Sequence, residues 1–437
     1  MKKFLKWVMV IIILVVFSFN ISKYVNNNRI DIKFSDQNLN YSLFFKGLDG
    51  ARDFCVSKEE YYIAYKDKIQ VIKKNGDSYY LFKNKNLNIT SLELYEDKLY
   101  YSSGKTVCEY SIKNNISKVL IDNLPNFGDY SNSKIKISGN YLYVSIGSAT
   151  NSGVVGEDNT WLKEHPYNCD ILPKTSIVKG KNFGKEKTGA FVPYGTSNIN
   201  GQIIPGHFPG NGSMVIYNLK TGNLENFAWG IRNIKGLDFN SENKLIAIIG
   251  GMEERGLRPV KGDVDYIYII KKGMWYGWPD YSGGDPINSP RFKGKNGEKI
   301  GFLLDKHPST NPPAPLYQHE TLNTLGDIAV DKKGVLGYKD AIYFYDTKEM
   351  KICNLNKNLV LKDMIFINGS EKIALKFSEA GLNILDRKRG ALWNVSINLE
   401  EPKNNYRFLY FYLIIVSIGI IGVIIYTKVK KIMCKDK

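Results

Sequence analysis

The chain has 437 residues, 43% of them hydrophobic and 24% charged, which excludes global disorder and allows one large domain with appendages. Aromatic residues make up 13%, tyrosine above all, a bias toward strands. The net charge of +17 comes with no clustered basic and aromatic strip, which argues against a nucleic-acid partner.

At the N-terminus, Lys2, Lys3 and Lys6 lead into an unbroken apolar run over residues 7–17. This is the layout of a signal sequence, placed at residues 1–22. No clear small-residue cleavage site follows it, so a removed peptide and an uncleaved anchor both remain open.

The middle of the chain, residues 40–400, carries a diverged repeat. Each copy is a short alternating strand, a polar turn, a second apolar strand and a third strand, with insertions of different length. The copies fall at residues 53–65 with 68–72, 91–103 with 106–112, 134–146 with 214–219, 236–249 with 265–270, 327–345 with 351–355, and 363–377 with 382–385. Second strands such as Tyr61-Tyr-Ile-Ala-Tyr, Leu142-Tyr-Val-Ser-Ile and Ala341-Ile-Tyr-Phe-Tyr are aromatic and β-branched, as a strand buried on both faces should be. Six such units predict an all-β fold closed radially into a six-bladed β-propeller, in which neighbouring sheets bury each other's faces. The irregular spacing speaks against a solenoid. Two insertions, residues 147–213 and 279–326, are rich in Gly, Pro, Asn and Tyr and are expected over one mouth of the central channel.

Residues 408–426 are 19 uncharged residues, apolar on every face, close to the roughly 20 a helix needs to cross a bilayer. They predict a transmembrane helix, followed by a basic cytoplasmic tail at 427–437. Basic residues on the terminal side of both apolar runs place both tails in the cytoplasm and the propeller outside. About +10 of the charge is left for that exported part, suited to solubility or to contact with anionic polymers. Of the five cysteines, Cys434 lies on the tail, and the spacing of Cys55, Cys108, Cys169 and Cys353 fits neither a zinc site nor a redox pair. Buried free thiols are expected.

Several segments resemble the quinoprotein glucose/sorbosone dehydrogenase family. They are the run from Leu142-Tyr-Val-Ser-Ile through Gly-Ser-Ala-Thr-Asn-Ser-Gly, Trp229-Gly-Ile-Arg-Asn, Arg255-Gly-Leu-Arg-Pro, Trp275-Tyr-Gly-Trp-Pro-Asp and Gly390-Ala-Leu-Trp. Together they span roughly residues 125–396, with residues 40–124 fitting as divergent blades. The resemblance implies an extracytoplasmic sugar dehydrogenase that uses pyrroloquinoline quinone (PQQ) and calcium, with hydride passing from sugar C1 to the quinone. It implies PQQ binding by Arg232 and Asn233, with Arg232 stabilising the reduced cofactor. It also implies a calcium site near Gly250, Gly251, Asp265, Tyr276 and Asp285. A planar guanidinium suits carboxylates, and calcium prefers hard oxygen ligands.

The family's general-base His, just before the Leu142 strand, is missing. Tyr130 stands in its place, and a phenol with an ordinary pKa near 10 is a poor base at neutral pH. His319, in Tyr317-Gln-His-Glu, resembles a His that relatives carry ahead of the fifth blade and is the channel-mouth candidate. Two readings follow: a membrane-anchored sugar oxidoreductase, and a noncatalytic surface propeller that binds a saccharide or a protein.

Overall fold

The computed structural model describes residues 32–397, together with Gly419 and Gly422. By its contacts the chain forms two units, one ending at Ile397 and a second, Asn398–Lys437, of which Gly419 and Gly422 are described, both helical. The signal or anchor segment at 1–22, the span at 408–426 and the tail at 427–437 lie outside the described residues, apart from those two glycines. No described helix is long and apolar enough to cross a membrane.

Among its described residues the first unit is all-β, with a single short 3-10 turn at Thr160–Lys163. Six antiparallel sheets account for the repeats. Blade 1 is Asp53–Val56, Glu60–Ala64, Lys68–Lys73 and Ser78–Lys83; blade 2 is Ile89–Tyr95, Lys98–Ser103, Thr106–Ser111 and Ile116–Ile121. Blade 3 is Ile135–Ser138, Tyr141–Ile146, Ser213–Asn218 and Leu224–Trp229; blade 4 is Ile234–Phe239, Leu245–Ile249, Tyr266–Ile270 and Tyr317–Gln318. Blade 5 runs Leu325–Asp331, Ala341–Asp346, Lys351–Leu355 and Leu361–Ile367; blade 6 begins Ile373–Ser378, Gly381–Asp386 and Ala391–Ile397.

Each inner strand touches the inner strand of the next blade, and that of blade 6 returns to that of blade 1, so the ring is closed. Side-chain oxygens clip neighbours together. Asp53 Oδ2 accepts the Leu92 amide at 2.8 Å, Asp238 Oδ2 the Val330 amide at 3.0 Å, and Asp327 Oδ2 the Leu375 amide at 3.1 Å. The second strands are buried almost end to end, Ala341–Asp346 completely, because sheets cover them on both faces.

One repeat was drawn a strand too early. Residues 361–367 are the outer strand of blade 5, and Ile373–Ser378 is the inner strand of blade 6 rather than its second. Blade 6 takes its outer strand, Leu39–Lys46, from the start of the chain, where Leu39 pairs with Ile397 and Tyr41 with Val395. Ile32–Phe34 adds a fifth strand to blade 5. This pairing of the first and last parts of the propeller locks the ring.

The two insertions form one cap. They share an apolar core in which Val154, Phe191 and Val178 pack with Trp275, Trp278, Ile287 and Leu304. Val178 bridges Leu304, and the Lys179 amide donates to the Leu303 carbonyl at 2.8 Å. Arg258, buried, donates to the carbonyls of Ser152, Pro279 and Gly301 and pairs with Asp280 at 2.9 Å. Cys55, Cys108 and Cys353 are buried free thiols and Cys169 is a half-buried one.

Candidate functional site

The inner strands all begin at one end of the channel, where a pit of about 930 Å³ opens. Its lining comes from every blade: Arg52 and Asn88 ahead of the first two inner strands, Lys134, Asn233, Asn323 and Lys372 at the other four. Lys235, Glu253, Asp327, Glu371 and Arg387 add further charges to the wall. Of the site residues singled out in the sequence, Asn233 alone lines this pit.

Arg232 lies behind the wall and is fully buried. Its fork is engaged within the protein: Nη2 pairs with Glu253 Oε1 at 2.8 Å and donates to Asn151 Oδ1 at 3.0 Å, and Nε donates to the Asn151 carbonyl at 3.1 Å. Nη2 also donates to the Tyr130 hydroxyl, and the guanidinium lies 4.1 Å from the centre of the Tyr130 ring. Tyr130 in turn donates to Glu253 Oε1 at 3.0 Å. Burial pushes its phenol up to about 12, despite the opposing charge of Arg232. A phenol so placed holds its proton at neutral pH and supplies no base.

Arg255 extends the cluster. It pairs with Asp158 and Asp129, each at 2.6 Å, and with Glu253. His319 is turned away from the pit: its Nε2 lies 3.3 Å from Asp346 Oδ2, its Nδ1 3.2 Å from the Tyr317 hydroxyl, and burial lowers its pKa.

The five calcium candidates are spread over separate contacts. Asp265 accepts from Lys235 Nζ and from the Leu325 amide, both at 2.9 Å. The Tyr276 hydroxyl donates to the Ile269 carbonyl, and exposed Asp285 pairs with Arg291. Gly250 and Gly251 answer to packing: a Cβ on Gly250 would sit 3.0 Å from Lys235 Cε, and one on Gly251 2.1 Å from the Val264 carbonyl oxygen. The Gly250 carbonyl already accepts from Arg232 Nη1 at 3.4 Å. A divalent cation there would face a guanidinium and an ammonium, so this donor set does not fit calcium. Among the described residues, no three His, Cys, Asp or Glu side chains converge as a metal site would.

The opposite wall has the reverse character. Among the described residues, Arg52, Lys372 and Arg387 have no carboxylate within ion-pair distance. Arg387 Nε is buried without a hydrogen-bond partner. Arg52 has its pKa lowered by burial and then by the positive charge of Arg387, the mark of two cations held close together. Sequence reasoning missed these residues because it sought contiguous basic strips. The available signal was a basic side chain immediately ahead of the inner strand in three separate repeats: Arg52, Lys134 and Lys372.

Beyond the pit, an ion chain crosses the channel. Lys376 Nζ pairs with Glu93 Oε1 at 2.6 Å, Glu93 with Lys136 at 3.3 Å, and Lys136 with Asp238 at 3.2 Å. Its members line a second, separate cavity of about 290 Å³ at the far ends of the inner strands.

Two solved structures share this fold. One is the holo form of the pyranose dehydrogenase PQQ domain from Coprinopsis cinerea, with a TM-score of 0.57 and 11% identity, covering 84% of this chain and 97% of that one. The other is the PQQ-bound form of an aldose sugar dehydrogenase from Streptomyces coelicolor, at 0.51 and 12%, covering 84% and 99%. The protein is thus a six-bladed propeller with the fold of PQQ-dependent sugar dehydrogenases, as the sequence resemblance implied. No family model and no curated protein matches the sequence.

Proposed function

We propose that this protein is a binding propeller whose channel mouth holds a small anionic ligand of the sugar or quinone class. The observation that carries the reading is the cluster of Arg52, Lys372 and Arg387 on the wall of a 930 Å³ pit, with a partnerless guanidinium nitrogen. The planar guanidinium forks of Arg52 and Arg387 suit a ligand carboxylate. PQQ is a flat tricarboxylate, and this cluster suits its carboxylates, whereas Arg232 is already taken. Asn88, Asn233 and Asn323 supply neutral donors and acceptors for hydroxyls or carbonyl oxygens.

Sugar oxidation is the second reading, favoured by the fold shared with two PQQ-bearing dehydrogenase structures. PQQ would supply the hydride acceptor, and the chain would have to supply the base. Neither Tyr130, which keeps its proton, nor His319, turned to Asp346, is placed for that task. The terminal apolar runs support tethering of the propeller at the outer face of a membrane; protease treatment of intact cells should then cleave it from outside.

The test is a titration of the purified full-length chain with PQQ, with and without calcium, followed by dye reduction with several sugars. Binding without turnover is the expected result. Arg387→Met should weaken PQQ binding by about tenfold, the loss of one charge-assisted contact. Dye reduction by a sugar would establish the dehydrogenase instead, and no binding at millimolar PQQ would remove PQQ as the ligand.

A further inference from the structure

The two walls of the pit differ in how their charges are matched. In the ring, blade 4 lies opposite blade 1. On the blade 4 side every cation has an internal carboxylate: Arg232 has Glu253, Lys235 has Asp265, and Arg255 has Glu253, Asp129 and Asp158. Arg52, Lys372 and Arg387, from blades 1 and 6, have none at ion-pair distance among the described residues, although Glu371 lines the same wall beside Lys372.

Glu253 is held by every polar group around it. Its amide donates to Asn151 Oδ1 at 2.7 Å, the same oxygen that accepts from Arg232. Oε1 accepts from Arg232, from Tyr130, and from Asn323 Nδ2 at 3.0 Å, while Oε2 accepts from Arg255. Burial alone would raise its pKa, yet Arg232 and Arg255 outweigh burial and hold it at about 2. The carboxylate nevertheless reaches the pit and forms part of its lining.

We infer that Glu253 is a built-in carboxylate that occupies Arg232 and restricts the pit to ligands whose anionic groups all face Arg52, Lys372 and Arg387, with none directed to the blade 4 side. The inference rests on the anion-binding reading above and names the substrate class. A second anionic group on the ligand, directed toward Arg232, meets Glu253 first and is repelled. That side of the pit instead presents the carboxamides of Asn233 and Asn323, the carboxylate of Glu253, and Lys235 with its charge matched by Asp265, groups that suit hydroxyls. A polyhydroxylated monocarboxylate, a sugar acid of the aldonate or uronate type, satisfies both walls. Specificity then comes from a repulsive element as well as an attractive one.

Titration calorimetry on the full-length chain with gluconate, glucarate and glucose tests this, because the first two share a skeleton and differ in the second carboxylate. In the native protein glucarate should bind no more than about twofold tighter than gluconate, and glucose about tenfold weaker than gluconate. In Glu253→Gln, which keeps the shape and removes the charge, glucarate should become about tenfold tighter than gluconate. A native protein that prefers glucarate tenfold, or a folded Glu253→Gln whose preference is unmoved, overturns the inference. If Glu253→Gln does not fold, the native comparison decides alone.

Failure of the underlying reading looks different. Gluconate binding indifferent to Arg387→Met removes the cation cluster as the anion site while leaving the glucarate comparison meaningful. Binding of glucarate by Glu253→Gln where the native chain binds neither acid supports the seal and removes native anion binding. No binding of either acid by either protein removes both.

Discussion

Asp170 shows how a single side chain can set the pH response of the cap. It is fully buried, with no cation beside it among the described residues, accepting from the Ala149 amide and the Thr150 hydroxyl, both at 2.5 Å. Burial outweighs these donors and pushes its carboxyl up to about 7. A carboxyl raised in the folded state contributes stability that is complete below its unfolded pKa, near 3.9, and lost as the pH climbs toward 7. Asp170→Asn should therefore melt about 5 °C higher than the native chain at pH 8, and no higher at pH 4. Melting curves displaced equally at both pH values would contradict the assignment. The same scale explains why the site was only partly readable from sequence. Arg255 and Arg258 were visible as motif residues, but their chemistry is the internal fastening of cap to blades. The cations that face the pit sit one to a repeat, and only closure of the ring gathers them.

At the scale of elements, the blades were legible because a strand buried on both faces must be apolar throughout, as Tyr61-Tyr-Ile-Ala-Tyr and Leu245-Ile-Ala-Ile-Ile are. The last blade was misread for an equally physical reason. Its outer strand lies some 350 residues away in sequence, so no local pattern announces the pairing of Leu39–Lys46 with Ala391–Ile397. Removing residues 32–46 should expose the edge of Ala391–Ile397 and uncover Trp393 and Val395. The expected loss is on the order of 5 kcal/mol, from the burial of Leu39 and the half-burial of Phe44 and Phe45. Limited proteolysis should then cut blade 6 first; cleavage that begins in blade 2 or 3 would show that the closing strand is dispensable.

At the scale of the whole molecule, the ion chain from Lys376 through Glu93 and Lys136 to Asp238 ties blades 6, 2, 3 and 4 across the channel. Lys376 also approaches Asp53 of blade 1 at 3.7 Å and donates to the Leu92 carbonyl at 2.6 Å. Removing one member leaves its partners charged and buried, so Lys376→Met should cost about 3 kcal/mol in urea unfolding. A variant as stable as the native chain would mean that water already solvates these groups.

That crossing of charges also makes the mouth a cul-de-sac. A guest that arrives through the rim has no back exit and must retrace its path to leave. Anything that settles over the doorway, whether a shifted cap loop or a docked macromolecule, would therefore govern admission and release together, imprisoning an occupant as readily as it turns a newcomer away.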